Sequence, residues 1–123
     1  MNSLTSSLED YLEIICNYED SNRQVRAIDI SRELKVSRAS TTEALNKLAD
    51  KGFINHGRYG AISITESGKV LARNIISKHM VLQEFFEKIG LAEEEASFNA
   101  CKIEHVITDS AFKKISEFLG RDI

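Results

Sequence analysis

The sequence predicts a mainly α chain carrying one small two-stranded hairpin, and three observations lead there. Apolar residues recur at helical spacing through most of the 123 residues. Proline is absent and there are only six glycines, so irregular loops have few places to form. The period switches from helical to extended at one place, around residues 53–64. The length suits one compact domain or two very small ones, and excludes a barrel or a doubly wound dinucleotide fold. Hydrophobic residues make up 42% and charged residues 28%, the mix of an ordinary globular protein.

Each element follows from local signals. Ser7 reads as an N-cap with Glu9 and Asp10 in the first turn, and Leu8, Tyr11, Leu12, Ile15 and Tyr18 form the stripe of a first helix. Ala27, Ile28, Ile30 and Leu34 give a short second helix. Ser37 caps a third, with Thr41, Ala44, Leu45 and Leu48 on its core side and Gly52 as terminator. Phe53-Ile54-Asn55 and Ala61-Ile62-Ser63-Ile64 read as strands around a turn at His56–Gly60. Thr65 caps a long fourth helix ending at Gly90. A fifth runs from about Ala92 to Ile107, and Thr108-Asp109 opens a sixth that stops near Gly120.

Cys16 and Cys101 do not make a disulfide framework. The first ten residues lack a secretory signal, and no apolar run reaches membrane-spanning length, so the expected compartment is the cytoplasm with reduced thiols and no membrane association. Net charge is −3, unevenly spread. Residues 1–20 carry five acids and no Lys or Arg, residues 21–60 eight bases and four acids, and residues 61–123 eight bases and ten acids. The basic middle is a local electrostatic footprint between acidic ends.

Two short helices joined by a tight turn and followed by a hairpin is the order of a winged helix-turn-helix, whose second helix enters the major groove of DNA. Opposite the apolar stripe of the third helix stand Ala39, Glu43, Asn46 and Asp50. Ala39 suits a thymine methyl, Glu43 a cytosine amine and Asn46 an adenine. Ser37, Ser40, Thr42 and Lys47 suit phosphate oxygens, Arg26 faces the backbone, and Arg58 in the hairpin tip suits the minor groove. The same face also reads as solvated surface, since Glu43 and Asp50 would be repelled by phosphates. The local charge and the basic hairpin tip favour DNA.

Cys101, Glu104 and His105 fall at i, i+3 and i+4, which on a helix puts thiol, carboxylate and imidazole on one face. That donor set suits a divalent transition metal. Asp10 and Glu13 repeat the i, i+3 spacing on the first helix, and His79 lies mid-way along the fourth. If the three helices meet, these six residues form one cluster. Taken singly, His79 reads as a hydrogen-bonded, partly buried histidine before a ligand, Asp10 and Glu13 as helix-dipole partners and solvated surface, and Cys101 as a small core residue.

Together these blocks resemble the diphtheria-toxin-repressor and manganese-transport-regulator family of metal-dependent repressors. The resemblance runs over nearly the whole chain: Leu8-Glu9-Asp10-Tyr11-Leu12-Glu13-Ile14-Ile15, Val36-Ser37-Arg38-Ala39-Ser40, Leu45 through Ile54, Ile64-Thr65-Glu66-Ser67-Gly68-Lys69, Lys78-His79 and Cys101 through Val106. It implies a winged-helix DNA-binding domain over residues 1–66 and a helical metal-binding and dimerisation domain over 67–123. It further implies a homodimer on a palindromic duplex, and repression of metal-uptake genes when Fe²⁺ or Mn²⁺ is bound. The ligand role carries over to Asp10, Glu13, His79, Cys101, Glu104 and His105. Asp10 follows the manganese branch, where the iron branch has methionine. Cys101 follows the iron branch, where the manganese branch has glutamate. Gln83 and Ser97 stand where the iron branch has ancillary glutamate and histidine ligands, and the chain stops soon after the sixth helix, without that branch's appended barrel. A thiolate favours Fe²⁺ over Mn²⁺, with Co²⁺, Ni²⁺ and Zn²⁺ expected to bind in vitro. No nucleophile–base pair stands out, so no enzymatic activity is expected. The alternative reading is a winged-helix regulator that senses a small organic ligand or a protein partner.

Overall fold

The computed structural model describes residues 4–57 and 60–120. Arg58 and Tyr59, at the expected hairpin tip, lie outside the described residues. The chain divides into two compact units, Met1–Arg73 and Asn74–Ile123.

The first unit begins with α1, Ser6–Asp20. Its cap is Thr5, whose hydroxyl accepts from Leu8 N at 3.2 Å, and not Ser7. Either hydroxyl can cap, but starting one residue before Ser7 lets Thr5 O take Glu9 N at 3.0 Å and adds a bond to the helix. Leu12 and Ile15 are fully buried, and Leu8, Tyr11, Ile14 and Cys16 are nearly so. Helix α2, Ala27–Leu34, buries Ile30 and ends on Lys35 in the left-handed region at φ 57°. No glycine marks that stop, so it has no signal in the sequence. Helix α3, Arg38–Asp50, is capped by Ser37, which accepts from Ser40 N at 3.0 Å. Thr41, Ala44, Leu45 and Leu48 are its buried face, as expected from the stripe.

Strands β1, Ile54–His56, and β2, Ile62–Ile64, pair antiparallel in the register Ile54↔Ile64, Asn55↔Ser63 and His56↔Ile62. Each strand starts one residue later than its sequence suggests. Phe53 N closes the end of α3 by donating to Leu48 O at 3.0 Å, so Phe53 belongs to the turn. The three isoleucines are buried while Asn55 and Ser63 are exposed, which fixes one face of the hairpin inward. Helices α2 and α3 pack together, α3 packs on β1, and α1 packs on α3 and β2.

Helix α4, Glu66–Lys88, contains the boundary between the units. Thr65 caps it by accepting from Gly68 N at 3.1 Å, and its own hydroxyl donates to Gly52 O at 2.7 Å. In the second unit follow α5, Glu93–Ile103, and α6, Asp109–Phe118. The core there is Ile75, Val81, Leu82 and Phe112 with the small Ala96 and Ala100 of α5. Helix α5 stops four residues short of the expected Ile107. Val106 N and Ile107 N both turn back to Ile103 O, at 3.0 and 2.9 Å. The β-branched run Val106-Ile107-Thr108 is poor helix, and Thr108 is already the cap of α6, accepting from Ala111 N at 3.2 Å.

Cys16 makes the stability of the first unit depend on pH. Burial pushes its thiol above the ordinary value, and the Asp20 carboxylate, to which Sγ donates at 3.8 Å, adds to the rise. The folded state therefore favours the neutral thiol. Its contribution to stability is complete below the unfolded-chain value and is lost as pH rises towards the higher folded one. Urea melts of Cys16→Ser and the unsubstituted chain should run parallel up to about pH 8 and converge above it. A stability difference that stays flat up to about pH 10 refutes this.

Candidate metal centre and nucleic-acid interface

His79 projects from α4 and is half-buried, with its side chain 24% exposed; the Glu104 side chain is 1% exposed. His79 Nδ1 and Glu104 Oε1 are 2.9 Å apart. An ionised carboxylate only accepts, so Nδ1–H donates to it in this arrangement, and Nε2 accepts from the Ser97 hydroxyl at 3.5 Å. Glu104 is the C-cap of α5, its N donating to Ala100 O at 2.9 Å. His105 is half-buried in the turn that follows, with Nε2 shielded from solvent. Cys101 is exposed on the last turn of α5. Glu104 keeps helical backbone angles, so the i, i+3 relation of Cys101 and Glu104 holds, with Glu104 buried and Cys101 exposed. Asp10 and Glu13 are half-buried on α1, one turn apart. Among the described residues, no three His, Cys, Asp or Glu side chains stand assembled as a metal-holding group.

The pair that is assembled fits a divalent ion. Two cis donors each about 2.1 Å from one ion stand about 3 Å apart, the spacing His79 and Glu104 already have. Both are shielded, and the carboxylate supplies the negative charge a cation needs. Ser97, visible in the sequence only as a departure from a ligand position, instead contacts the second nitrogen of His79. Gln83 donates to Glu87 on its own helix at 3.2 Å.

In the first unit, Ala39, Ser40, Thr42, Glu43, Asn46 and Lys47 are all exposed on α3, opposite its buried stripe. Ser37 is occupied as the cap and also donates to Ser40 Oγ at 3.0 Å, leaving the Ser40 proton for another acceptor. Lys47 Nζ pairs with Glu43 Oε1 at 3.2 Å, so the acid that the sequence sets against phosphates also engages the nearest base. Arg26 stands exposed at the start of α2, its Nε 3.8 Å from Asp29. Both are exposed pairs worth little energetically, and a phosphate would compete for either cation. A groove of about 310 Å³ runs beside this face, lined in part by Thr5, Ser7 and Tyr11 of the α1 end together with Ser40 and Lys47. The α1 residues went unforeseen because nothing local to Thr5 or Ser7 reports that α3 passes beside them.

Helix-turn-helix plus hairpin in one unit, and a part-buried imidazole–carboxylate pair among helices in the other, define a DNA-binding regulator with a separate ligand-responsive helical module. Comparison with known proteins agrees. Residues 3–62 match the model for the N-terminal DNA-binding domain of iron-dependent repressors, and residues 65–121 the model for their metal-binding and dimerisation domain. The chain belongs to this diphtheria-toxin-repressor and manganese-transport-regulator family of metal-dependent transcriptional repressors. It is 32% identical over 120 residues to an uncharacterized HTH-type transcriptional regulator of Methanocaldococcus jannaschii, covering 96% of each chain. It is 30% identical over 116 residues to the HTH-type transcriptional regulator MntR of Oceanobacillus iheyensis, covering 94% of this chain and 79% of that one. Among solved structures it resembles T. acidophilum IdeR, with a TM-score of 0.79 and 29% identity over 99% of this chain and 57% of that one. A manganese-dependent transcriptional repressor in complex with manganese gives a TM-score of 0.84 at 26% identity, over 94% of this chain and 53% of that one. The chain thus spans a little over half the length of these two solved repressors. Among the described residues no helix is long and apolar enough to cross a membrane.

Proposed function

We propose that this chain is a cytoplasmic repressor of metal-uptake genes that binds a palindromic operator as a homodimer when Fe²⁺ or Mn²⁺ is present. Residues 1–66 form the reader and residues 67–123 the sensing and dimerising part. The observation that carries the reading is the part-buried His79–Glu104 pair, a carboxylate and an imidazole held at the spacing of two donors to one ion. We assign the ligand role to Asp10, Glu13, His79, Cys101, Glu104 and His105. Fe²⁺ is the favoured ion because Cys101 offers a thiolate, with Co²⁺, Ni²⁺ and Zn²⁺ binding in vitro.

The bound cation supplies positive charge that links donors otherwise repelling one another. His79 and Glu104 would hold the ion through the imidazole and the carboxylate that now face each other. Asp10 and Glu13 bring α1 into the donor set, and α1 packs on α3 and β2 of the reader. Selection of one α1 position therefore selects one presentation of α3. On that helix Ala39, Glu43 and Asn46 face base edges, while Ser37, Ser40, Thr42 and Lys47, with Arg26 and Arg58, face phosphates and grooves. The coupling is reciprocal: the DNA-competent state must bind the ion more tightly.

The test is an anaerobic anisotropy titration of a duplex selected from a random-sequence pool by the metal-loaded chain. Fe²⁺ or Mn²⁺ should tighten binding by about tenfold or more. Equal affinity with and without metal refutes the switch, and absence of any salt-dependent binding refutes the DNA role.

A further inference from the structure

A two-stranded sheet leaves each strand one bare edge, and a hairpin of three-residue strands has little to keep it in place. Backbone N–H groups alternate sides along a strand. Thr65 N donates to Phe53 O at 3.0 Å, towards β1, so Ile64 N points the other way, to the bare edge of β2. There it donates to Glu19 Oε2 at 2.5 Å, a carboxylate 45 residues away near the end of α1. The next residue, Asp20, holds Arg73 of α4 through a second contact, Oδ1 to an Arg73 guanidinium nitrogen at 3.0 Å. The end of α1 thus grips both the hairpin and the helix that leaves it.

We propose that Glu19 is a positioning residue for DNA recognition, fixing the edge of β2 to α1 so that the hairpin and α3 meet the duplex as one body. The proposal rests on the DNA-binding reading above. A carboxylate accepting from a shielded backbone N–H makes a charge-assisted bond, stronger than its neutral counterpart. Without it the hairpin is attached through its strand ends and its three buried isoleucines, and its orientation beside α3 broadens. Order that the free protein lacks must then be imposed on binding, which weakens affinity without touching any group that faces the nucleic acid.

The test compares Glu19→Ala and Glu19→Gln in the full chain, saturated with Mn²⁺, on the selected duplex. Both variants lose the same negative charge, so any electrostatic gain towards DNA is common to them. Only glutamine keeps an oxygen that can accept from Ile64 N. Glu19→Ala should speed exchange of the Ile64 amide and weaken duplex binding, each by about tenfold, with Mn²⁺ affinity unchanged. Glu19→Gln should stay within about threefold of the unsubstituted chain on both readouts. Unchanged exchange or unchanged duplex affinity in the alanine variant overturns the proposal, as does a glutamine variant that falls as far as alanine. Should the alanine variant lack a cooperative melt, the unsubstituted chain decides. Its Ile64 amide should exchange more slowly than that of Ile62, which faces the same edge, and equal rates overturn the proposal. A chain that selects no duplex removes the DNA reading and this proposal together, whereas selection with an indifferent alanine variant removes only this one.

Discussion

Replacing His79 with alanine is expected to weaken metal binding by about 100-fold and to remove metal-stimulated DNA binding with it. In the proposed site the imidazole is one of two donors; its Nδ1 stands 2.9 Å from Oε1 of Glu104, whose side chain is almost wholly shielded. Stability reports the loss independently of DNA. An ion at about 100 times its dissociation constant raises the unfolding free energy by about 2.7 kcal/mol, and the same concentration acting on a site 100-fold weaker raises it by only about 0.4 kcal/mol. Urea melts with and without Mn²⁺, on both proteins, separate the two cases. An alanine variant that keeps the full metal-induced gain would falsify the assignment of His79. The metal-free variant is itself expected to be less stable by about 1–3 kcal/mol, because Glu104 Oε1 loses its imidazole donor.

At Gly68 two physical effects of opposite sign meet. Gly68 lies in the first turn of α4, where alanine is favoured over glycine by about 1 kcal/mol on helix propensity alone. A β-carbon at Gly68 would stand 2.1 Å from Phe53 O and 2.8 Å from Ile64 Cγ1. The isoleucine can rotate, but the carbonyl is backbone and already accepts from Thr65 N at 3.0 Å. Relieving the clash moves either the start of α4 or the hairpin, so overpacking outweighs propensity. Gly68→Ala should cost about 3 kcal/mol net, read as a lower urea midpoint. Alanine at the exposed Asn74 of the same helix should stay within about 0.5 kcal/mol. A neutral or stabilising Gly68→Ala would show that the hairpin yields more readily than its packing implies.

Much of the fold was legible because its signals are local. Ser37, Thr65 and Thr108 cap the helices they were expected to cap. The stripe Thr41, Ala44, Leu45 and Leu48 is the buried face of α3. These readings need only a few neighbouring residues, since a cap bonds within one turn and a stripe repeats every three or four positions. The misplaced boundaries were competitions between two adequate local choices. Thr5 outdid Ser7 as a cap, and the turn before Thr108 cut short a helix that periodicity alone would have continued.

By itself, the sequence determined the order of elements, the family, and the chemical types available for metal and DNA. Only tertiary structure decided that Glu104 meets His79, that Glu19 seizes the edge of β2, and that Gly68 must stay bare against Phe53. Two of those contacts join residues 25 and 45 positions apart, and the third brings a helix onto a turn that precedes the hairpin. Periodicity and capping state which way a side chain leaves its own element. They carry no information about which atom of another element waits there, because that is fixed only when the buried faces of the whole unit are packed together.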